Sequence, residues 1–347
     1  MAARAERYRA EVLDPATSTP VTSTPVLGDV GEAGLLSVMV PLLPTGGATL
    51  LGPGDDAAVV AAPDGRVVAT TDVLVEGRDF RRDWSSAEDV GVKAGAQNLA
   101  DVAAMGAVPT ALLVGLVAPA DLPVGWALGL ARGLAQACAG TSAGVVGGDL
   151  SAGVELMVSV TALGDLQGRA PVLRSGAGPG QDVALAGVLG RSAAGFAALL
   201  ALGPEEADRR LPGLVAAHRR PRPPYEAGPA AARAGAVAML DLSDGLLRDA
   251  GRVAEASGVV LDLDPAVLQK YVEPLREAAE TLGADLWAWV LGGGEDHGLL
   301  AVFAPGTAPE GFTVIGRTSA VPAGGEPQVL LGGSLPTATP GWDHFGG

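Results

Sequence analysis

The stretch Gly52-Pro-Gly-Asp55-Asp56-Ala-Ala-Val59-Val60, continued by Ala-Ala-Pro63-Asp64-Gly65-Arg-Val67-Val68-Ala-Thr70-Thr71-Asp72, sets the terms for the rest of the chain. Paired valines flank Asp64-Gly65, the dipeptide that best matches a two-residue hairpin turn. The pattern predicts a hairpin whose outer ends, Gly54-Asp55-Asp56 and Thr70-Thr71-Asp72, meet at one edge. Two carboxylates about 4 Å apart repel by roughly 4 kcal/mol at an effective dielectric near 20. Acids gathered this way need a cation between them, and oxygen-only donors favour Mg²⁺ over zinc. Gly and Asp are also ordinary turn residues, so a solvated turn is the competing reading of this stretch alone.

The chain has 347 residues, enough for two domains with proper cores. Its 23 Lys and Arg against 39 Asp and Glu leave a formal charge of −16. That balance speaks against nucleic acid or an anionic membrane as partner, since both call for a basic footprint. It leaves room for a phosphate substrate if metal ions mediate the contact. Cys138, the single cysteine, excludes an internal disulfide and a thiolate cluster, and its Ala-rich surroundings predict a small buried hydrophobe. No charged segment followed by an apolar one opens the sequence, and the uncharged run 102–120 is interrupted by Gly106 and Pro109. A cytoplasmic protein with no membrane span is expected.

Working outward from the first acidic stretch, residues 1–26 form a Ser/Thr/Pro-rich tail with too little apolar surface to pack, and 31–43 predicts a short helix. Ser85-Ser-Ala-Glu88 matches a capping box for a helix running to about Met105, with Asp101 set against the macrodipole on its last turns. A buried strand is expected at 110–117 and a helix at 124–138. Strands at 145–149 and 154–162 follow, the first breaking into Gly147-Gly148 before Asp149. The Gly-, Pro- and Arg-rich segment 164–180 reads as the domain boundary, placing domains at 27–165 and 166–347. Beyond it the pattern predicts strand 182–186, helix 192–202, a helix around 225–234 and a strand running into Asp241. Asp241 and Ser243 share a strand face, and Asp244 is placed to cap the helix 246–256. Strand 258–264, helix 265–282, strand 299–303 and a last core strand at 312–316 complete the pattern. His297, next to a strand, reads as a packed side chain rather than a base.

No phosphate-binding Gly-x-x-x-x-Gly-Lys loop, dinucleotide fingerprint, protein-kinase motif or Gly-x-Ser-x-Gly elbow is present. What remains is a set of acids at element ends: Asp56, Asp72, Asp101, Asp149, Asp241, Asp244 and Glu295. Such a set suits Mg²⁺ ions holding a polyphosphate, where catalysis is mostly positioning and charge neutralisation.

Gly-Pro-Gly-Asp-Asp-Ala-Ala, Thr-Thr-Asp-Val-Leu-Val-Glu-Gly, Asn-Leu-Ala-Asp-Val-Ala-Ala-Met-Gly-Ala, Val-Gly-Gly-Asp, Asp-Leu-Ser-Asp-Gly-Leu and Gly-Gly-Glu-Asp occur in this order between residues 52 and 296. The series resembles the ordered motifs of the thiamine-monophosphate kinase family, and Gly341-Trp-Asp-His-Phe345 is similar to that family's ending. The family belongs to the aminoimidazole ribonucleotide synthetase superfamily. The resemblance therefore implies an α/β (α+β) fold with an N-terminal ATP- and Mg-binding domain, a C-terminal α/β domain that completes an active-site cleft, and a homodimer in which the N-terminal sheets pair.

By matching motif, the resemblance implies magnesium ligands at Asp56, Thr70, Thr71, Asp72, Asp101, Asp149, Asp241 and Asp244. It implies ATP contacts at Gly148, Asp149, Arg174 and Ser243, and substrate contacts at Asp79, Glu295 and Trp342. Catalysis would centre on Asp72, Asp244 and Arg174, with ATP as co-substrate and thiamine monophosphate as acceptor. Two departures fall on the substrate side. Asp79 stands where the family commonly has His in Gly-x-His-Phe, and Glu295-Asp-His297-Gly298-Leu replaces the common Glu-Asp-Tyr-Glu-Leu. Another ATP-using member of the superfamily and a non-catalytic nucleotide-binding protein are the competing readings.

Overall fold

The computed structural model describes residues 24–54, 57–338 and 341. Asp56, Trp342 and most of the expected N-terminal tail lie outside the described residues. The chain separates into two compact units. One takes in residues up to Ala62, Ala69–Asn98 and Pro109–Leu163; the other takes in Pro63–Val68, Leu99–Val108 and everything from Gly164 on.

The first unit is built on a four-stranded sheet of β3 (Val68–Val75), β4 (Val108–Ala118), β5 (Gly144–Ala152) and β6 (Met157–Asp165), in the order β3-β6-β4-β5. β4 and β5 are parallel and joined through helix α3 (Val124–Cys138), the crossover that a parallel pair requires. Along β4 the side chains alternate: Leu112, Val114 and Leu116 are buried, whereas Leu113 is 37% exposed. Cys138 is buried at the end of α3, and desolvation pushes its thiol up to about 12, so it behaves as a small hydrophobe. Helix α1 (Leu27–Met39) is kinked at Gly31, and its N-terminus bonds to the segment before α3 through Leu27 N–H to Leu122 O and Gly28 N–H to Ala120 O.

The expected hairpin does not form. β1 (Thr49–Leu51) and β2 (Val59–Val60) make their own two-stranded ribbon, and β3 adds to β6 instead. The turn at Asp64-Gly65 exists, but its carboxylate is taken by the Arg66 side chain at 2.7 Å and by the backbone N–H of Gly168 at 3.1 Å. A two-residue strand offers β3 few ladder bonds, and β6 offers a partner of nine residues. The capping box also shifts by one residue. Ser86 and Asp89 exchange the two capping bonds at the start of α2 (Ala87–Ala104), while Glu88 reaches Arg132 on α3 at 2.7 Å.

The second unit holds a six-stranded sheet, in the order β12-β9-β11-β7-β10-β8. Its strands are β7 (Asp182–Ala186), β8 (Ala238–Asp241), β9 (Val259–Leu263), β10 (Leu299–Phe303), β11 (Thr313–Ala320) and β12 (Gln328–Leu331). All neighbours are antiparallel except β12 and β9. β7 and β10 are buried at every residue, which is why both read as continuous apolar runs. Its helices include α4 (Arg191–Leu202), α5 (Pro204–Arg210), α6 (Pro212–Arg219), α7 (Ala227–Arg233) and α8 (Leu246–Ser257). The helix expected over 265–282 is split into α9 (Pro265–Val272) and α10 (Arg276–Leu282), with a 3₁₀ turn containing Pro274 between them. Helices α5 and α6, the later helix α11 (Leu286–Gly292) and strand β12 were not legible in the pattern.

Helices α2 and α3 cross at two glycines. A Cβ on Gly91 would lie 2.3 Å from Leu130 O, and one on Gly133 would lie 2.2 Å from Glu88 O. Gly133→Ala is therefore expected to destabilise the fold by about 2 kcal/mol through overpacking, despite roughly 1 kcal/mol of gained helix propensity. Urea denaturation measures this; an unchanged or raised midpoint would contradict the close crossing.

Candidate active site

In the second unit the site grows out of the β8–β10 pair. Asp241 ends β8 opposite Leu299, and the two chains keep bonding beyond that pair. Leu242 N–H donates to Gly298 O at 2.7 Å, His297 N–H to Leu242 O at 3.1 Å, and Glu295 N–H to Ser243 O at 2.8 Å. Residues 241–245 and 294–298 thus run side by side, which brings Asp241, Ser243 and Asp244 next to Glu295, Asp296 and His297. Glu295 (φ +63°) and His297 (φ +51°) adopt left-handed backbone, at a cost of roughly 1–2 kcal/mol each.

Asp241 is 6% exposed, and its Oδ2 lies 3.1 Å from His297 Nδ1. Burial works against the imidazolium. The hydrogen bond to Asp241 and the charges of Asp241, Glu295 and Asp101 outweigh it, so the His297 pKa is raised. His297 is packed, as expected, but as the partner of a buried acid. Asp101, half-buried on the penultimate turn of α2, acts on the same imidazole through its charge.

Asp244 does not cap α8, contrary to what its position suggests. The cap comes from Asp249, which is wholly buried and reaches back to accept the N–H groups of Asp244 at 2.9 Å and Gly245 at 3.2 Å. Arg252 forks between Asp249 Oδ1 and Asp244 Oδ2, each at 2.5 Å. Burial pushes the Asp249 carboxyl up to about 6, against the pull of the Asp244 N–H and the Arg252 charge. Neither Asp249 nor Arg252 was singled out in the sequence. The available signal was an acid inside the first turn of an amphipathic helix, where it meets free N–H groups.

In the first unit, Asp72 lies half-buried on β3, and its N–H donates to Asn98 Oδ1 at 3.1 Å. Asn98 is completely buried in α2 and ties its own amide to Ala94 O. This support was also missed; a polar residue on an otherwise apolar helical face was its signature. Thr71 Oγ1 donates to Val160 O and accepts from Thr161 Oγ1, leaving one lone pair for a ligand. Asp149 is exposed on β5, with Ser151 Oγ donating to it at 2.7 Å. Gly148 approaches β4 rather than open space, since a Cβ there would lie 1.9 Å from Val114 O. One oxygen of Asp79 accepts the Val75 N–H at 2.8 Å and so braces its own loop.

The Arg174 main chain is tied to the far end of α8 from Asp244. Its carbonyl accepts from Ser257 Oγ at the C-terminal end of α8. Asp244 precedes the other end of that helix, roughly 18 Å away along the axis.

The chain is 49% identical over 326 residues to a thiamine-monophosphate kinase of Mycobacterium tuberculosis, covering 94% of this chain and 95% of that one. The chain belongs to the thiamine-monophosphate kinase family. A family member from Corynebacterium glutamicum is 44% identical, with 92% of this chain and 95% of that one covered. Residues 54–166 match the model of the AIR synthase related protein N-terminal domain. Among solved structures, thiamine monophosphate kinase from Aquifex aeolicus has a TM-score of 0.71 at 31% identity, covering 89% of this chain and 99% of that one. AaThiL complexed with AMPPCP and TMP has a TM-score of 0.72 at 31% identity, covering 93% and 100%. The hydrogenase maturation protein HypE, at 18% identity and TM-score 0.67, shares the fold. No described helix is long and apolar enough to cross a membrane.

A magnesium ion in this kinase family has to meet the donors present here. Among the described residues no three His, Cys, Asp or Glu side chains converge as a metal cluster. The candidate donors are all oxygens, and Asp241 and Asp101 concentrate negative charge on one buried imidazole. That set fits Mg²⁺, which rests on one or two carboxylates and completes its shell with water and substrate phosphates.

Asp296 anchors the neighbouring helix. Its carboxylate accepts the N–H groups of Arg191 at 3.2 Å and Ser192 at 2.8 Å, capping α4 from a distant loop. Burial pushes it from 3.8 up to about 7, against the pull of those N–H groups, that of Gly190 and the His297 charge. The folded pKa exceeds the unfolded one, so this group's stabilisation is full at low pH and is lost as pH rises through about 7. Wild type should therefore be more stable relative to Asp296→Asn at about pH 5 than at about pH 8, by roughly 2–3 kcal/mol in urea titrations. A difference that ignores pH would refute the raised pKa.

Proposed function

We infer that this chain transfers the γ-phosphoryl group of ATP to thiamine monophosphate, giving thiamine diphosphate and ADP, in the cytoplasm. The observation that carries the reading is 49% identity across 94% of the chain to a thiamine-monophosphate kinase. The acid-lined loops described above support it.

A phosphate oxygen of the acceptor attacks the γ-phosphorus in line, and the bond to the β-phosphate oxygen breaks. The attacking phosphate is already anionic at neutral pH, so no strong general base is required, in keeping with three histidines in the whole chain. The residues proposed to hold magnesium are Asp56, Thr70, Thr71, Asp72, Asp101, Asp149, Asp241 and Asp244, and the ions would supply charge neutralisation for the phosphates. Asn98 holds the Asp72 backbone, and Asp249 holds the Asp244 loop, so both acids are set before substrate arrives. Arg252 and Arg248, at 2.5 and 3.9 Å, balance Asp244 in the free protein. Gly148, Asp149, Ser243 and Arg174 are assigned to ATP. Asp72, Asp244 and Arg174 are assigned to catalysis, Arg174 through its charge on the transferring phosphoryl group. Asp79, Glu295 and Trp342 are assigned to thiamine monophosphate.

The chain should also form a homodimer through the first unit. One sheet face there presents Val73 (44% exposed) and Leu113 (37% exposed). The Thr71–Thr161 hydroxyl bond and the approach of Ser159 to Gly115 put these residues on the same face. A second copy would cover that apolar surface. Light scattering at micromolar concentration should report two chain masses; one chain mass would exclude the dimer.

Thiamine monophosphate should be converted to the diphosphate while thiamine is left unreacted, because thiamine offers a neutral hydroxyl and no phosphate to share with the cation. EDTA should abolish the reaction. Chromatography of the products decides both points. Equal turnover of thiamine would rule out the substrate reading, and full activity in EDTA would rule out the magnesium.

A further inference from the structure

Two side chains in the second unit that the phosphoryl-transfer step does not use converge on Glu295. Its side chain is 38% exposed, and Oε2 lies 3.2 Å from His218 Nδ1 and 3.5 Å from Ser192 Oγ. Ser192 Oγ and His218 Nδ1 are themselves 3.1 Å apart. Ser192 is fully buried on the first turn of α4, His218 is 5% exposed near the end of α6, and the imidazole packs 5.2 Å from the Phe196 ring.

The proton positions follow from donor and acceptor chemistry. A carboxylate oxygen only accepts, so a hydrogen on Nδ1, shared between Glu295 Oε2 at 3.2 Å and Ser192 Oγ at 3.1 Å, is the arrangement that avoids two facing lone pairs. With Nδ1–H committed, the Ser192 hydroxyl donates to the same oxygen. Ser192 is fixed in turn, since its N–H is held by Asp296. The main chain of Glu295 is equally constrained, with φ +63° and its N–H bonded to Ser243 O. A half-exposed carboxylate gains little stability from one such ion pair. The arrangement's effect is orientation: one oxygen is anchored on buried groups, and Oε1 is set at one position.

We infer that His218 and Ser192 are positioning residues that fix the Glu295 rotamer, so that Oε1 is a pre-set hydrogen-bond acceptor for thiamine monophosphate. The inference rests on the assignment of Glu295 to the substrate. Pre-setting an acceptor removes the ordering cost from binding, so its loss falls on substrate affinity before it falls on turnover.

The test uses the full-length protein and four variants: Glu295→Gln, His218→Phe, His218→Asn, and Glu295→Gln combined with His218→Phe. Phe keeps the packing on Phe196 without the donor, and Asn keeps an N–H near the Nδ1 position. His218→Phe should raise KM for thiamine monophosphate roughly tenfold, with kcat and KM for ATP within about twofold of wild type. His218→Asn should restore most of the loss, and the double variant should be no worse than Glu295→Gln alone. Nitrogen-15 NMR of histidine-labelled protein should show His218 protonated on Nδ1, with that resonance shifted in Glu295→Gln. If Glu295→Gln raises KM and His218→Phe does not, the positioning role is wrong and the substrate assignment stands. If Glu295→Gln leaves KM unchanged, the assignment of Glu295 fails and takes the inference with it. A His218→Phe protein with lower Tm and both KM values raised alike would mark His218 as structural only. Nδ1 found unprotonated would overturn the inference without reference to any substrate.

Discussion

The β8–β10 ladder continues past the ends of its strands, and the second unit's site depends on that continuation. The three backbone bonds from residues 242–243 to 295–298 hold two acidic loops in register. Without them Asp241, Asp244 and Glu295 would be free to separate, as like charges tend to do. Backbone pairing is well suited to the task because it has no net charge and is unaffected by the ions it helps to gather. The left-handed residues Glu295 and His297 mark where the loop departs from strand geometry to keep those bonds.

Around that ladder the protein balances its acids with partners already in place. Asp241 has His297, Asp244 has Arg252 and Arg248, and Glu295 has His218. Asp249 and Asp296 are a different kind of acid. Both are almost wholly buried, both accept backbone N–H groups at helix starts, and both have carboxyl groups pushed upward by burial. They shape the loops that carry Asp241, Asp244 and Glu295. This division explains why five acids can crowd one end of a sheet in a chain with a formal charge of −16.

The amphipathic and continuous apolar segments were legible from sequence: Val124–Cys138, Asp182–Ala186 and Leu299–Phe303 have the bounds their patterns indicated. The helix Leu246–Ser257 was legible for the same reason, since its apolar period is local information. The motif residues at element ends could be named because their acids stand out against apolar surroundings. Their supports could not. Asn98, Ser192, His218, Asp249 and Arg252 are unremarkable in composition, and their meaning comes from the partner each one meets in space.

The sequence alone determined the family and the α/β architecture, and it named candidate acids for the site, because each of these is written in local periodicity or in contiguous motifs. Tertiary structure alone decided three other matters. β3 chose β6 over the nearer β2 because a long ladder outweighs a short one. Asp249, not Asp244, capped α8 because only the folded helix turn brings a carboxylate back onto those N–H groups. Glu295 came under the control of His218, a residue 77 positions earlier, because two helices and a loop converge there (295 − 218 = 77). In each case the deciding contact joins groups whose proximity depends on the closed fold, and no local pattern encodes it.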